Sequence, residues 1–159
     1  MSNAADISPA IVEALYEDAL QLAEEARLAF ENRRDSGPLT QEESERRVAL
    51  SCEALRTTTR MMHAVAWLLN QRAFFAGEMS EFQLRRHGRL PPAQPDGDAD
   101  QLVLLDLYTL DVVDRTRAFY SRIARLDRAW RDHFAMQPSA VHRLRDRIGS
   151  AFAPTAARR

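Results

Sequence analysis

The four histidines are the residues of this chain best suited to acid–base chemistry, metal binding or phosphoryl transfer. They are His63, His87, His133 and His142, and each falls in a different segment. None follows a glutamate by three residues, so the Glu-x-x-His pair of di-iron bundles is missing, as are His-Glu-x-x-His and any Cys/His zinc spacing. The sequence also lacks a glycine-rich phosphate loop and a Gly-x-Ser-x-Gly elbow. We therefore predict no catalytic residue, no metal site and no cofactor.

One histidine leaves an enzyme-class alternative open. A phosphotransfer domain needs only one exposed histidine on a helix, and His63 lies in a helical stretch. Its neighbours Met61, Met62, Ala64 and Val65 are apolar, and no basic residue follows within a turn to stabilise a phosphoryl group. A hydrogen-bonded histidine in a core or an interface is the favoured interpretation.

The composition is that of one folded domain without a dominant charge. The chain has 159 residues, 45% of them hydrophobic, and its 22 basic residues, all arginine, nearly balance 23 acidic ones. This balance argues against a nucleic-acid-binding protein that neutralises phosphates over its whole surface. The single cysteine, Cys52, cannot form an internal disulfide and is predicted to be a small buried hydrophobe. Without a signal-like start or a run of about 18 apolar residues, we expect a cytoplasmic protein with no membrane span.

The longest predicted helix runs from Thr40 to Gly77. Thr40 and Glu43 form a capping-box pattern, Gly77 suits the left-handed residue that follows a helix, and no glycine or proline lies between. Apolar or small residues recur alternately four and three apart, which predicts a seam packed lengthwise against other helices. The seam residues are Val48, Cys52, Leu55, Thr59, Met62, Ala66, Leu69, Ala73 and Ala76.

Two other long helices are predicted. The first begins at Ser8-Pro9, a cap and first-turn pair, and ends near Asn32. Its seam comprises Val12, Leu15, Ala19, Leu22, Ala26 and Ala29. The third starts at Asp100 as N-cap and stops before Pro138, with its seam running from Leu102 to Trp130. A short extra helix, capped by Ser80 with Gln83, is predicted between the long ones.

The connection and the tail complete the predicted fold. Arg89 to Asp100 holds three prolines and three aspartates, which predicts an exposed and mobile loop. We expect an all-α fold, an antiparallel three-helix bundle over residues 1–137, followed by a flexible basic tail over residues 138–159.

The middle of the long helix predicts a contact with another molecule. From Met61 to Leu69 the sequence MMHAVAWLL is apolar almost all round, which a helix with two neighbours does not need. We predict a second buried face there, either against a fourth element or in a homodimer, with Met61, Val65, Trp67 and Leu68 as the self-association residues.

The tail is predicted to meet a second partner. Val141, Leu144, Ile148 and Phe152 fall on one side of a short amphipathic segment whose net charge is about +4. Ile148, Phe152 and the tail arginines, Arg145 among them, are the candidate contacts. The same basic charge leaves open a contact with an anionic membrane or a nucleic acid, although neither is the favoured partner.

The stretch Leu55 to Met79 resembles the regulator of CtrA degradation family of alphaproteobacteria. The likeness rests on a "TTR" step, a "WLL-x-QR" step and a Gly-Glu-Met helix exit. Here these are Thr58-Thr59-Arg60, Trp67-Leu68-Leu69 with Gln71-Arg72, and Gly77-Glu78-Met79. The segment LAEEARLAFE, Leu22 to Glu31, is similar as well, and the likeness spans roughly Ala14 to Trp130.

This resemblance implies a function that the spacing of residues does not. Members of that family are dimeric three-helix bundles that serve as adaptors for the AAA+ protease ClpXP. They join a ClpX unfoldase primed by a receiver-type protein and hand over cell-cycle regulators, without doing chemistry themselves. The family's flexible tail matters for this activity. Arg72, in the shared Gln71-Arg72 step, joins the predicted partner-binding residues.

Overall fold

The structure, a computed structural model, describes residues 7–31 and 40–136 together with Leu144, Arg147 and Ile148. Every regular element in that part of the chain is helical: α1 spans Pro9–Glu31, α2 Gln41–Phe75, α3 Glu81–His87, α4 Ala99–Leu102 and α5 Leu107–Met136. The prediction of an all-α fold is confirmed. None of these helices is both long and apolar enough to cross a membrane.

A polar cap starts α1, and one row of small and aliphatic side chains sets its buried face. The Ser8 hydroxyl accepts a hydrogen bond from the backbone N–H of Ile11 at 3.3 Å. Pro9 follows at the first helical position, where its missing N–H removes no helical bond. The buried residues of α1 are Val12, Leu15, Ala19, Leu22, Ala26 and Ala29, so the predicted seam of the first helix is confirmed.

Capping residues fix both ends of α2 near the predicted positions. The Thr40 hydroxyl accepts a hydrogen bond from the backbone N–H of Glu43 at 3.2 Å. Gly77 has a φ of 77°, the left-handed conformation that a glycine adopts without a steric penalty. The predicted short helix follows as α3, where Ser80 and Gln83 form a complete capping box.

The start of α5 differs from the prediction. Asp100 lies inside α4, which makes only one turn. The cap of α5 is Asp106, whose Oδ1 accepts hydrogen bonds from the backbone N–H groups of Tyr108 and Thr109 at 3.0 and 3.1 Å. The buried face of α5 nevertheless follows the predicted seam, with Thr109, Val112, Thr116, Phe119, Ile123 and Trp130 all buried.

The three long helices pack pairwise against one another, and their side-chain contacts give their directions. Glu13, near the start of α1, pairs with Arg72, near the end of α2, at 2.7 Å. At the other end, Phe30 of α1 and Arg47 of α2 line the same groove. These contacts place α1 and α2 in opposite directions.

In contrast, α2 and α5 run side by side in the same direction. Arg60 donates a hydrogen bond to Thr116 at 2.8 Å, and further along both helices Trp67 donates one to Asp127 at 2.9 Å. The antiparallel order predicted for the second and third long helices is therefore wrong. The physical reason is that residues 76–106 return along the helices before α5 begins, so no tight turn joins α2 to α5.

This returning connection includes the predicted mobile loop, Arg89 to Asp100, and contacts α5 twice. The Tyr120 hydroxyl donates a hydrogen bond to the Pro91 carbonyl oxygen. Arg117 pairs with Asp96 at 3.1 Å. Most of the loop's side chains are exposed, as predicted, but these contacts hold its backbone against the helices.

Candidate partner-binding surface

α2 carries two stripes of residues on opposite sides, both of which repeat every seven residues. The inner stripe is buried and consists of Glu53, Thr57, Arg60, Ala64, Trp67 and Gln71. The outer stripe consists of Val48, Leu55, Met62 and Leu69, the large residues of the predicted seam. Met62 is nine residues from both Glu53 and Gln71, which at about 3.6 residues per turn is two and a half turns. The two stripes therefore face in opposite directions.

The outer stripe is exposed, contrary to the prediction that it packs within the chain. Val48, Leu55, Met62 and Leu69 are 55%, 70%, 65% and 45% exposed. The seam prediction for this helix is wrong because Trp67 fills the space toward α5, which turns the opposite face of α2 outward. Apolar side chains that recur along a whole helix and face solvent are typical of a protein-contact surface.

The geometry of the outer stripe fits another helix. Its four large residues lie at intervals of seven, the period at which one helix face follows a partner helix over several turns. Between them come three smaller side chains, namely Cys52, Thr59 and Ala66. Large residues alternating with small ones leave room for the knobs of a facing helix.

A groove between α1 and α2 extends this surface toward α1. It has a volume of about 1010 Å³. On the α1 side it is lined by residues that include Ala23, Ala26 and Phe30, and on the α2 side by residues that include Met61, Met62, Val65, Ala66 and Leu69. We call it the α1–α2 groove. Because Met62 and Leu69 belong to both, the outer stripe and the α1–α2 groove form one continuous apolar surface.

The inner stripe holds α2 to α5 with buried charges. Glu53 is only 1% exposed, and its carboxylate lies 3.6 Å from Arg56, 3.8 Å from Arg60 and 3.7 Å from Arg117. Gly97 of the connection covers this cluster, where a Cβ atom would lie 2.9 Å from a Glu53 oxygen. A larger residue at position 97 would push the connection away from the cluster.

Arg60 links α2 to α5. One of its guanidinium nitrogens donates to the Thr116 hydroxyl at 2.8 Å and lies 3.4 Å from the Thr57 hydroxyl. Burial lowers the pKa of Arg60, and the nearby Glu53 carboxylate counteracts that effect. Of the three consecutive threonines at 57–59, Thr57 is buried beside Arg60, and both Thr57 and Thr58 line the α1–α2 groove. Thr57 thus lies between the buried charge cluster and the groove.

Three of the predicted self-association residues, Met61, Trp67 and Leu68, belong to the core. Trp67 is 2% exposed and donates its Nε1–H to Asp127, which also pairs with Arg131 at 2.8 Å. Leu68 is fully buried. The assignment of Trp67 and Leu68 to a partner surface is wrong because packing within the chain already encloses both. Met61 is only 4% exposed, and half-buried Val65 packs against the same core; both also line the α1–α2 groove.

The remaining predicted contacts are separated from one another. Arg72 pairs with Glu13 and lies 4.4 Å from the centre of the Tyr16 ring, so it ties α2 to α1. Its hydrogen bond with Glu13 raises the pKa of Arg72. Ile148 lies in a helical segment and is 49% exposed. Arg145 and Phe152 lie outside the described residues, and their roles stay predictions.

Among the described residues, the reactive side chains do not converge on a site. His63 is half-buried, and its Nδ1 is enclosed without a hydrogen-bond partner among the described residues. Cys52 is half-buried at the edge of the outer stripe instead of fully buried as predicted. In the part of the chain that the structure describes, no three His, Cys, Asp or Glu side chains are grouped to hold a metal ion.

Comparison with known proteins assigns this chain to a family by sequence. The family described as "Protein of unknown function (DUF1465)" matches residues 3–152. The chain belongs to the DUF1465 family. No curated protein and no solved structure matches it. For this member of the DUF1465 family, the exposed outer stripe is therefore the main guide to function.

Proposed function

We propose that this chain is a non-enzymatic adaptor that delivers cell-cycle regulatory proteins to the ClpXP protease. The single observation that carries the proposal is the outer stripe, an apolar helix face at heptad spacing that is exposed in the part of the chain that the structure describes. The resemblance of Leu55 to Met79 to the regulator of CtrA degradation family supplies the partners, a ClpX unfoldase with a priming receiver-type protein. This role places the chain in the cytoplasm.

The scaffold in this proposal is a three-helix bundle of α1, α2 and α5 that forms a homodimer through the outer stripe. A two-fold axis across the middle of the stripe would pair each end with the opposite end of the second copy, so one surface serves both subunits. The stripe's heptad spacing supports a helix as its partner, and α2 itself has the matching pattern.

An adaptor of this kind works without chemistry of its own. By holding cargo and protease at the same time, it raises the effective concentration of cargo at the unfoldase. The adaptor needs separate surfaces for its partners, and the outer stripe and the tail around Ile148 are two exposed apolar regions that could serve as such surfaces.

Reconstituted degradation tests the proposal. Purified ClpX, ClpP and the priming receiver-type protein are incubated with labelled cell-cycle regulators, with and without this chain. We expect degradation to accelerate with the wild-type chain, and to lose most of that acceleration with the double variant Met62→Asp, Leu69→Asp. The matched control is Val103→Asp, Leu107→Asp, which changes two residues that are 80% and 86% exposed outside the outer stripe. Failure of the wild-type chain to accelerate degradation of any regulator would refute the adaptor role.

A further inference from the structure

We propose that Arg117 forms a binding site for an aspartate side chain of a partner protein, and that Asp96 of the same chain occupies this site until the partner displaces it. Asp96 lies in residues 91–98 of the connection, a stretch that we call the strap. The site goes beyond the proposed function and does not depend on the adaptor role, because its binding can be measured with the purified chain alone.

The first support is one edge of the Arg117 guanidinium, which is enclosed but not hydrogen-bonded. Nε and Nη2 form this edge, and it suits a carboxylate because two parallel N–H groups can donate to the two oxygens. Both nitrogens are enclosed and have no hydrogen-bond partner among the described residues. The remaining nitrogen, Nη1, donates to Asp114 at 3.2 Å. Arg117 is therefore held in place while its carboxylate-binding edge stays unsatisfied.

Asp96 occupies this edge imperfectly. Its Oδ1 lies 3.1 Å from Nε of Arg117, close enough for an ion pair, but the N–H is not directed at it well enough for a hydrogen bond. A Glu53 oxygen lies 3.7 Å from Nη2, which is too far for a hydrogen bond. The Asp96 side chain is also 75% exposed, so water competes for it. A carboxylate that accepted hydrogen bonds from both nitrogens would bind more tightly than Asp96 does.

The charge of the cluster fits a single carboxylate ligand. With Asp96 in place, three arginines balance three carboxylates: Arg56, Arg60 and Arg117 against Glu53, Asp96 and Asp114. Without Asp96 a net charge of +1 remains. Arg60, which is only 4% exposed, already has an enclosed nitrogen without a hydrogen-bond partner among the described residues. One carboxylate from a partner restores the balance, whereas a neutral or cationic side chain would leave buried charge uncompensated.

The residue that follows the aspartate is restricted as well. At Gly97 a Cβ atom would lie 2.9 Å from a Glu53 oxygen and 3.1 Å from a nitrogen of Arg56. A segment that follows the path of the strap and places an aspartate at Arg117 therefore needs glycine at the next position. The ligand that fits is an extended segment containing Asp-Gly, the pair that the strap itself provides.

The strap has few contacts to hold it in place. Six of its eight residues are exposed, and only Pro91 and Gly97 are half-buried. It meets α5 through the hydrogen bond from Tyr120 to the Pro91 carbonyl oxygen and through the pair of Arg117 with Asp96. Segments with little buried apolar surface open locally without unfolding the rest of the chain. The strap can therefore lift while α2 and α5 stay packed, and only that open state admits a partner.

Fluorescence anisotropy of a labelled peptide tests the site in the full chain, at concentrations where the chain is monomeric. The probe is Leu-Pro-Pro-Ala-Gln-Pro-Asp-Gly-Asp, the sequence of residues 90–98. We expect Asp96→Asn to bind it about tenfold more tightly than the wild type, because the variant's own strap no longer supplies a competing carboxylate. The matched control, Asp98→Asn, removes the same charge from a side chain that forms no cap hydrogen bond, and should bind as the wild type does. No gain in Asp96→Asn, or an equal gain in the control, would overturn the inference.

Two further variants test the geometry of the site. Adding Arg117→Lys to Asp96→Asn keeps the positive charge but replaces the two-nitrogen edge with one ammonium group, and we expect the gain in affinity to be lost. Gly97→Ala should show a gain like that of Asp96→Asn, because its Cβ atom keeps the strap from closing on Glu53. Tight binding retained with Arg117→Lys, or no gain with Gly97→Ala, would contradict the site.

Sedimentation velocity separates a partner's segment from the strap of a second copy. Exchange of straps between two copies would appear as a dimer that Asp96→Asn removes, and it would overturn the assignment to a partner protein. We expect Asp96→Asn to leave the association of the chain unchanged. If the peptide binds as expected but no dimer appears at any concentration, the dimer of the proposed function fails while the aspartate site stands.

Discussion

The inner and outer stripes of α2 have the same spacing and opposite surroundings. The inner stripe buries Glu53, Arg60 and Gln71, while the outer stripe exposes Leu55 and Met62. A helix on the surface of a single domain normally shows the reverse order. α2 therefore has a polar face that fixes its position against α5 and an apolar face that is exposed among the described residues. The proposed function assigns the apolar face to another molecule.

The polar interface between α2 and α5 fixes the relative position of these helices more than it stabilises the fold. A buried ion cluster gains little over well-packed apolar side chains, but removing one member leaves the other charges uncompensated. Around Glu53 there are three arginines from two helices, so α2, α5 and the connection meet correctly only in one alignment. That alignment directs the outer stripe toward solvent.

The largest expected loss of stability comes from a comparison of two adjacent leucines, one on each face of α2. Leu68 is fully buried, whereas Leu69 is 45% exposed on the outer stripe. We expect Leu68→Ala to lower the free energy of unfolding by about 4 kcal/mol, because it leaves a cavity in the core. Leu69→Ala should cost about 0.5 kcal/mol at concentrations where the chain is monomeric. Urea denaturation measures both, and equal losses would contradict the assignment of the two faces.

The second prediction concerns the buried carboxylate of Glu53 and its effect on stability. Glu53→Gln keeps the shape of the side chain but removes the carboxylate that Arg56 and Arg60 share, while Arg117 keeps Asp96 and Asp114 as partners. We expect this change to destabilise the fold by about 3 kcal/mol. The control is Glu43→Gln, since Glu43 forms a partly exposed pair with Arg47 at 3.7 Å and should lose less than about 1 kcal/mol. Thermal unfolding of both variants gives the comparison, and a Glu53 variant as stable as the control would show that the cluster is not structural.

Replacing Trp67, whose indole N–H donates a buried hydrogen bond, should lower the stability by a smaller amount. Trp67→Phe removes the hydrogen bond to Asp127 and leaves a buried carboxylate with one partner fewer, at a cost of about 2 kcal/mol. If Trp67 belongs to the core, the loss appears in chemical denaturation of the monomer, with the dimer dissociation constant unchanged. A changed dissociation constant with unchanged stability would instead restore Trp67 to a partner surface.

The smallest effect is expected at alkaline pH. Burial raises the pKa of Tyr120 above its ordinary 10.0, and the hydroxyl also donates to Pro91. The folded state therefore holds this proton more tightly than the unfolded state. Its stabilising contribution is complete below about pH 10 and falls as the pH rises through the raised pKa. Tyr120→Phe should flatten this part of the stability profile, and the exposed Tyr108 provides a control through Tyr108→Phe.

The sequence was sufficient to predict the buried face of a helix where the apolar residues allowed only one such face. α1 has one main apolar row, and its six buried residues all lie on it, whereas Ile11, Leu20 and Leu28 lie outside that row and are exposed. The caps at Ser8, Thr40 and Ser80 were predictable because each depends on residues only three positions apart. α5 began later than predicted because Asp106, and not Asp100, supplies the capping carboxylate.

For α2, hydrophobicity alone predicted the wrong face to be buried. Both stripes fit a packed helix, and the outer one is the more apolar. The inner stripe contains Trp67, the bulkiest side chain of the helix, and its charged members find partners on α5 that are distant in sequence, such as Arg117 for Glu53. Pairing across helices decides which face is buried, and no local pattern encodes it. The parallel direction of α5 was unpredictable for a related reason, since it depends on how residues 76–106 pack.

The central claim is that the outer stripe is a surface for self-association, and sedimentation velocity over a range of concentrations tests it directly. We predict that the wild-type chain shifts from monomer to dimer as concentration rises. Met62→Asp, Leu69→Asp should remain monomeric at every concentration while keeping the wild-type circular dichroism spectrum and unfolding midpoint. A wild-type chain that stays monomeric throughout, or a double variant that dimerises as the wild type does, would contradict the claim.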